Sequence, residues 1–176
     1  MPTRRAEATW KGDLKSGHGW MKSETGTVEG TYSAASRFED GRGTNPEELM
    51  AAAHAGCYSM AFSLMLSEAG YTAEAIDTSA DVRIEQSGGG YAITQISLST
   101  KADVPGIDKD EFHAIAEKAK EGCPVSKALK AVPITLTAEL VSSCRRCAQA
   151  CVPFARSPCR LTPTGACYSF DEPDVR

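Results

Sequence analysis

Two cysteines stand apart from the other five. Cys57 and Cys123 are the only thiols in residues 1–140, separated by 66 positions, while Cys144, Cys147, Cys151, Cys159 and Cys167 crowd the last 36. Residues 1–16 alternate charged and small polar groups, so no secretory leader is expected, and lone thiols then suit a reducing compartment, where cysteine is kept for chemistry more often than for cross-linking. The expected location is therefore cytoplasmic. Cys57 lies among Ala, Met and Phe, where a thiol can simply act as a small hydrophobe, and burial there raises its pKa unless a cation sits close by. Cys123 follows Gly122 and precedes Pro124, which opens a short helix. Helix N–H groups at that position favour a thiolate, so Cys123 is predicted to be the more acidic of the two. A reactive role and a plain capping role both stay open for it. His54 precedes Cys57 by three positions, within reach on a helix. No orienting acid or oxyanion loop accompanies that pair, so His54 is read as structural.

The segment that must position Cys57 is a helix. Asn45 suits the N-cap, Pro46 the first turn, and Glu47 and Glu48 the positive end of the helix dipole; Asn45 with Glu48 resembles a capping box. The run MAAAHAGCYSMAFSLMLSEA ends at Gly70, a good C′ residue. Pro46 to Ala69 would span roughly 36 Å. Nearly every face is small or apolar, the mark of a helix buried all round. Its interruptions at His54, Gly56, Ser59 and Ser63 argue against a membrane span. A chain this size cannot easily wrap such a helix, which points to a partner chain.

Around it lie strands. Ala6, Ala8 and Trp10 alternate, and short runs flank a turn at Thr25-Gly26. Residues 33–45 read as a loop in which only Phe38 is expected to be buried. Thr78, Ala80, Val82 and Ile84 alternate, as do Ala92, Thr94, Ile96 and Leu98, with Gly88-Gly89-Gly90 as a hairpin turn between them. Asp108 opens a helix whose stripe is Phe112, Ile115, Ala116 and Ala119. Ile134, Leu136, Ala138 and Leu140 form a last strand. The predicted order is β-β-β-α-β-β-α-α-β, an α+β fold with antiparallel sheets around a long central helix.

The chain has 176 residues, a formal net charge of −4, 41% hydrophobic and 24% charged residues, which is ordinary for one soluble domain. No basic excess supports a nucleic-acid or polybasic membrane binder. Residues 142–176 carry no Lys, five Arg, four Pro and five Cys. They read as a disordered or non-homologous extension of a domain at 1–141. Cys144, Cys147 and Cys151 could otherwise ligate a metal.

With SRFEDGRGTNPEEL, HAGC, the DTSADVRIEQ…YAITQISLS hairpin, VPGID and GCPVSK in view, residues 1–141 resemble the OsmC/Ohr family of thiol-dependent hydroperoxide reductases. The position of Arg37, in the loop before the central helix, looks like the OsmC subgroup. The resemblance implies a peroxidatic Cys57, a resolving Cys123, a loop arginine at Arg37 and a helix-start glutamate at Glu48. It also implies an intertwined homodimer, a hydroperoxide substrate, a dithiol reductant such as a dihydrolipoyl protein, and no metal or organic cofactor. Arg37 would stabilise the Cys57 thiolate and the departing oxygen, and Glu48 would lock the guanidinium. Met60, Phe62, Met65 and Phe38 are candidates for admitting an organic peroxide, or else core. Glu48 and Cys57 are nine positions apart and face opposite ways on a straight helix. Either the helix breaks near Gly56, or the glutamate and arginine come from a second subunit. Glu47 is read as a surface residue matching the dipole. A non-enzymatic redox sensor on the same fold is the alternative function.

Overall fold

The computed structural model describes residues 2–141, so every expectation about the Cys-rich segment from 142 onward lies outside the described residues. Ten elements follow in the order β1 (Ala6–Lys11), β2 (His18–Ser23), β3 (Glu29–Ser33), α1 (Ala34–Phe38), α2 (Pro46–Glu68), β4 (Ala75–Ser87), β5 (Gly90–Asp103), α3 (Lys109–Gly122), α4 (Pro124–Ala128) and β6 (Ile134–Val141). The α+β class agrees with the sequence reading.

Two three-stranded sheets form. In the first, β1-β2-β3 is an antiparallel meander; Trp10 and Tyr32 pack ring to ring at 5.3 Å. In the second, β4 and β5 make the expected hairpin, with Ser87 opposite Gly90. Its two-residue loop needs positive φ at both positions, and Gly88 and Gly89 supply 60° and 84°. A register shift at Arg83/Ile84 places Ile93, not Thr94, opposite Ile84. That bulge breaks the alternation read through Ala92 and Thr94, so the inward face of β5 is Ile96, Leu98, Thr100 and Ala102.

The sheets are not wholly antiparallel. β6 pairs with β5 in parallel, Ile96 opposite Ile134 through Asp103 opposite Val141. Two helices intervene between these strands, and a helical crossover returns the chain in the direction it left. The second difference is α1, inside the stretch read as loop. Ser33 caps it, accepting from the Ser36 N–H while Ser36 Oγ accepts from the Ser33 N–H, a reciprocal box written in Ser rather than Glu.

α2 is continuous and carries a single buried stripe, Glu47, His54, Tyr58, Phe62 and Leu66. It packs on β4 and α3; Phe62 meets Phe112 edge to face at 5.4 Å, and the Tyr58 hydroxyl donates to the Ala116 carbonyl at 3.3 Å. Ser59 Oγ lies 2.9 Å from Thr78 Oγ1, which lies 2.9 Å from the buried Thr100 Oγ1, a row of hydroxyls fastening the helix to the sheet. The expectation of burial on every face is not met within one chain. Met60 is 76% and Leu64 60% exposed, on a face that also carries Ala52, Ala53, Gly56, Ser63 and Ser67. A small and apolar face left bare is the reason the sequence looks uniformly core-like.

Candidate active site

Asn45 starts α2 as predicted: its Oδ1 accepts from the Glu48 N–H at 2.8 Å, and its Nδ2 donates to the Ser36 carbonyl at 3.1 Å. The second bond ties α1 to the start of α2 and thereby sets Arg37 beside the helix N-terminus. There the guanidinium meets Glu47. Arg37 Nη2 donates to Glu47 Oε1 at 2.7 Å, and Nε lies 3.2 Å from both carboxylate oxygens. Glu47 is 8% exposed and Arg37 37%. The hydrogen bond to Glu47 holds the guanidinium pKa above its ordinary value, so Arg37 stays charged.

This corrects the assignment of Glu48. Its side chain is exposed and accepts from Thr44 Oγ1 at 3.1 Å, with no bond to Arg37. Only half of the capping box forms. Glu47, read as a surface residue, is the buried partner because it belongs to the inward stripe: 47, 54 and 58 are spaced by seven and four. That spacing was visible in the sequence, and a carboxylate on a buried stripe requires a cation.

Arg37 also stacks on Phe38, 5.2 Å from its centroid, and Phe38 stacks on Tyr91 at 4.3 Å. Trp10, Leu14, Tyr32, Arg37, Phe38 and Pro46 line a cleft of about 290 Å³. The guanidinium thus closes one side of an aromatic recess. Of the other apolar candidates, Phe62 is fully buried core, Met65 packs partly buried against that core and Met60 faces outward.

The sulfurs come together elsewhere. Cys57 is half-buried on α2, Cys123 is fully buried where α3 gives way to α4, and both are free thiols. Burial pushes the Cys57 thiol up, and the neighbouring Cys123 pushes it further; the Val125 N–H opposes this. Burial also raises Cys123, but contacts from the Ser126 N–H, Cys57, the Ser126 hydroxyl and the Val125 N–H outweigh it and bring its pKa below the ordinary thiol value. The predicted ranking, Cys123 the more acidic, agrees with the structure.

Arg37 and Cys57 are not joined within the chain. The groups acting on Cys57 are Val125 and Cys123, and the guanidinium is engaged by Glu47. Cys57 lies ten positions beyond Glu47 on unbroken helix, roughly 15 Å of rise. A break at Gly56 is thereby removed from the two options; the helix runs straight through it. No group of His, Cys, Asp or Glu among the described residues is arranged to hold a metal ion.

A family described as OsmC-like protein matches residues 39–137, more than half of the chain. The chain belongs to the OsmC-like family. It is 51% identical over 140 residues to peroxiredoxin OsmC of Escherichia coli, covering 79% of this chain and 97% of that protein. An organic hydroperoxide resistance protein of Xanthomonas axonopodis pv. citri is 33% identical over 99 residues, 55% of this chain and 68% of the relative. Among solved structures, an organic hydroperoxide resistance protein OsmC from Legionella pneumophila superposes with a TM-score of 0.59 at 23% identity, covering 79% of this chain and 98% of that one. That structure speaks to the fold: the α+β arrangement with the long helix is the OsmC-like fold.

Proposed function

We propose that this OsmC-like protein is a cysteine-based peroxidase that reduces hydroperoxides in antioxidant defence, acting through Cys57 and Cys123. One observation carries the reading: two free thiols from distant parts of the chain come close enough inside the fold for each to shift the other's pKa. The names of the relatives supply the reaction class.

Cys57 is the half-exposed sulfur and therefore the one a peroxide reaches first. Its thiolate attacks the nearer peroxide oxygen, the O–O bond breaks, and Cys57 becomes a sulfenic acid while the leaving alkoxide takes a proton to become an alcohol, or water from hydrogen peroxide. The Cys123 thiolate then attacks the sulfenic sulfur. A disulfide forms, and the hydroxide leaves as water on gaining a proton. A dithiol returns both thiols by exchange and is itself oxidised to a cyclic disulfide; a dihydrolipoyl carrier has that chemistry.

Alone, the chain leaves Cys57 protonated, so a cation must be brought to it. Arg37 from a second copy is that cation, held by Glu47 rather than Glu48. Its charge would draw the negative charge from Cys123 onto Cys57 and would stabilise the leaving oxygen. The bare face of α2, with Met60 and Leu64, supports a homodimer that brings the second copy's helix start across Cys57. The aromatic recess beside Arg37 would take the organic part of the peroxide. A cytoplasmic location fits the two reduced core thiols.

The test counts sulfurs. One equivalent of cumene hydroperoxide should consume Cys57 and Cys123 together in the wild type, read by thiol titration with peptide mapping. Cys57→Ser should lose all turnover with a dithiol, and Cys123→Ser should oxidise once and then stall. Sustained turnover by Cys57→Ser would refute the assignment.

A further inference from the structure

His54 is fully buried one turn before Cys57, and the reaction outlined above does not use it. Its Nε2 lies 2.8 Å from Ser126 Oγ, which is itself 6% exposed, and among the described residues its Nδ1 has no hydrogen-bond partner. Ser126 is the third residue of α4, whose N-cap is Cys123, and its hydroxyl acts to lower the Cys123 pKa. A row of groups therefore runs from α2 to α4 and back: the buried His54, Ser126 and Cys123, then the half-buried Cys57.

The proton positions along this row follow from what each atom can do. An imidazolium would carry two N–H groups and have a partner for one, so His54 is neutral; burial favours the same state. A buried N–H without an acceptor is rarer than a buried acceptor without a donor. The proton thus sits on Nε2 and is donated to Ser126 Oγ. With its oxygen accepting from His54, the Ser126 hydroxyl has its own hydrogen free to point at Cys123, where it favours thiolate over thiol.

Resting on the peroxidase reading above, we propose that Ser126, oriented by His54, holds Cys123 as the thiolate that resolves the Cys57 sulfenic acid. The need arises in mid-cycle. Within one chain the Cys57 thiol helps to stabilise charge on Cys123. Once Cys57 is oxidised that S–H is gone, and the Ser126 hydroxyl with the nearby N–H groups is what remains to stabilise the anion. His54 is a positioning residue acting through Ser126.

Other titratable groups face the same place. On α2, Tyr58 has its phenol pushed up by burial and by the charges of Glu117 and Cys123, so it stays neutral. On α3, Glu117 pairs with Lys120, and Lys120 and Glu121 border a surface cleft with Ser126, Lys127 and Lys130. Glu121, Lys127 and Lys130 are solvated there and screened. None of these is among the groups that lower the Cys123 pKa, whereas the Ser126 hydroxyl and N–H are.

The test separates Cys123 from the six other cysteines by labelling cysteine Cβ with carbon-13 in the full chain. Cys57→Ser serves as background, since its side chain cannot supply a thiol proton, and the Cys123 signal is followed against pH. Adding Ser126→Ala should raise the Cys123 midpoint by about one unit, a tenfold smaller thiolate fraction at neutral pH. His54→Leu should do the same, while His54→Gln, which keeps a donor, and Ser126→Thr should restore most of the shift. With Cys57 intact, Ser126→Ala and His54→Leu should accumulate sulfenic acid trapped by dimedone and form the disulfide about tenfold more slowly after one equivalent of peroxide. A Cys123 midpoint that stays put in both Ser126→Ala and His54→Leu overturns the proposal, even with wild-type turnover intact. A wild type that never forms the Cys57–Cys123 disulfide would instead overturn the peroxidase reading.

Discussion

A carboxylate at position 47 and one at position 48 differ by about 100° around the helix, and that angle decides which of them meets the guanidinium. Glu47 lies on the inward stripe with His54 and Tyr58, and its oxygens are 2.7 to 3.2 Å from Arg37 nitrogens; Glu48 looks outward to Thr44. The two glutamates therefore part company under mutation. Arg37→Met should lower kcat/KM for cumene hydroperoxide by about 10²–10³-fold, the usual cost of removing one donor to a developing oxyanion. Glu47→Gln should lose part of that, because an amide holds the fork less firmly, and Glu48→Gln should stay within about twofold of wild type. Steady-state rates with a dithiol reductant decide it. Equal losses at 47 and 48 would return the clamp to Glu48.

At the scale of elements, α2 is two helices in one. Its inner stripe builds the core with Phe112, Leu98 and Ala119; its outer face is left to whatever covers it. Phe62 sits at the centre of the inner stripe, fully buried between Tyr58 and Phe112. Phe62→Ala should cost about 3–5 kcal/mol, seen as a lower midpoint in urea with little change in slope. A loss under 1 kcal/mol would mean the core closes over the gap. Alternation along the strands, the Gly88-Gly89 turn and the Asn45 cap were all readable, because each is a short-range pattern. Three features were not. The bulge at Arg83/Ile84 shifts phase without a glycine or proline to mark it, and α1 uses a serine box in a segment rich in turn residues. The parallel pairing of β6 depends on where α3 and α4 carry the chain, which local pattern does not encode.

For the whole molecule, the same bare face poses the question of assembly. Leu64 and Met60 are the large apolar side chains on it, and a carboxylate there would have to be buried in a dimer. Leu64→Glu should leave the fold of the chain intact by circular dichroism, produce monomer in sedimentation velocity, and abolish peroxide turnover, since Arg37 would no longer reach a sulfur. A Leu64→Glu monomer with full activity would end the proposal of composite sites. What the sequence settled by itself was everything of short range: the helix with its cap, the hairpin, the ranking of the two thiols from their helix positions, and, through its motifs, the family. Tertiary structure alone decided that Arg37 is the cation meeting Glu47, that Ser126 and His54 meet near Cys123, and that Arg37 and Cys57 stay apart in one chain. Those outcomes depend on the direction of single side chains and on contacts across 72 residues, where a helix phase of one position or a crossover between strands changes the partner.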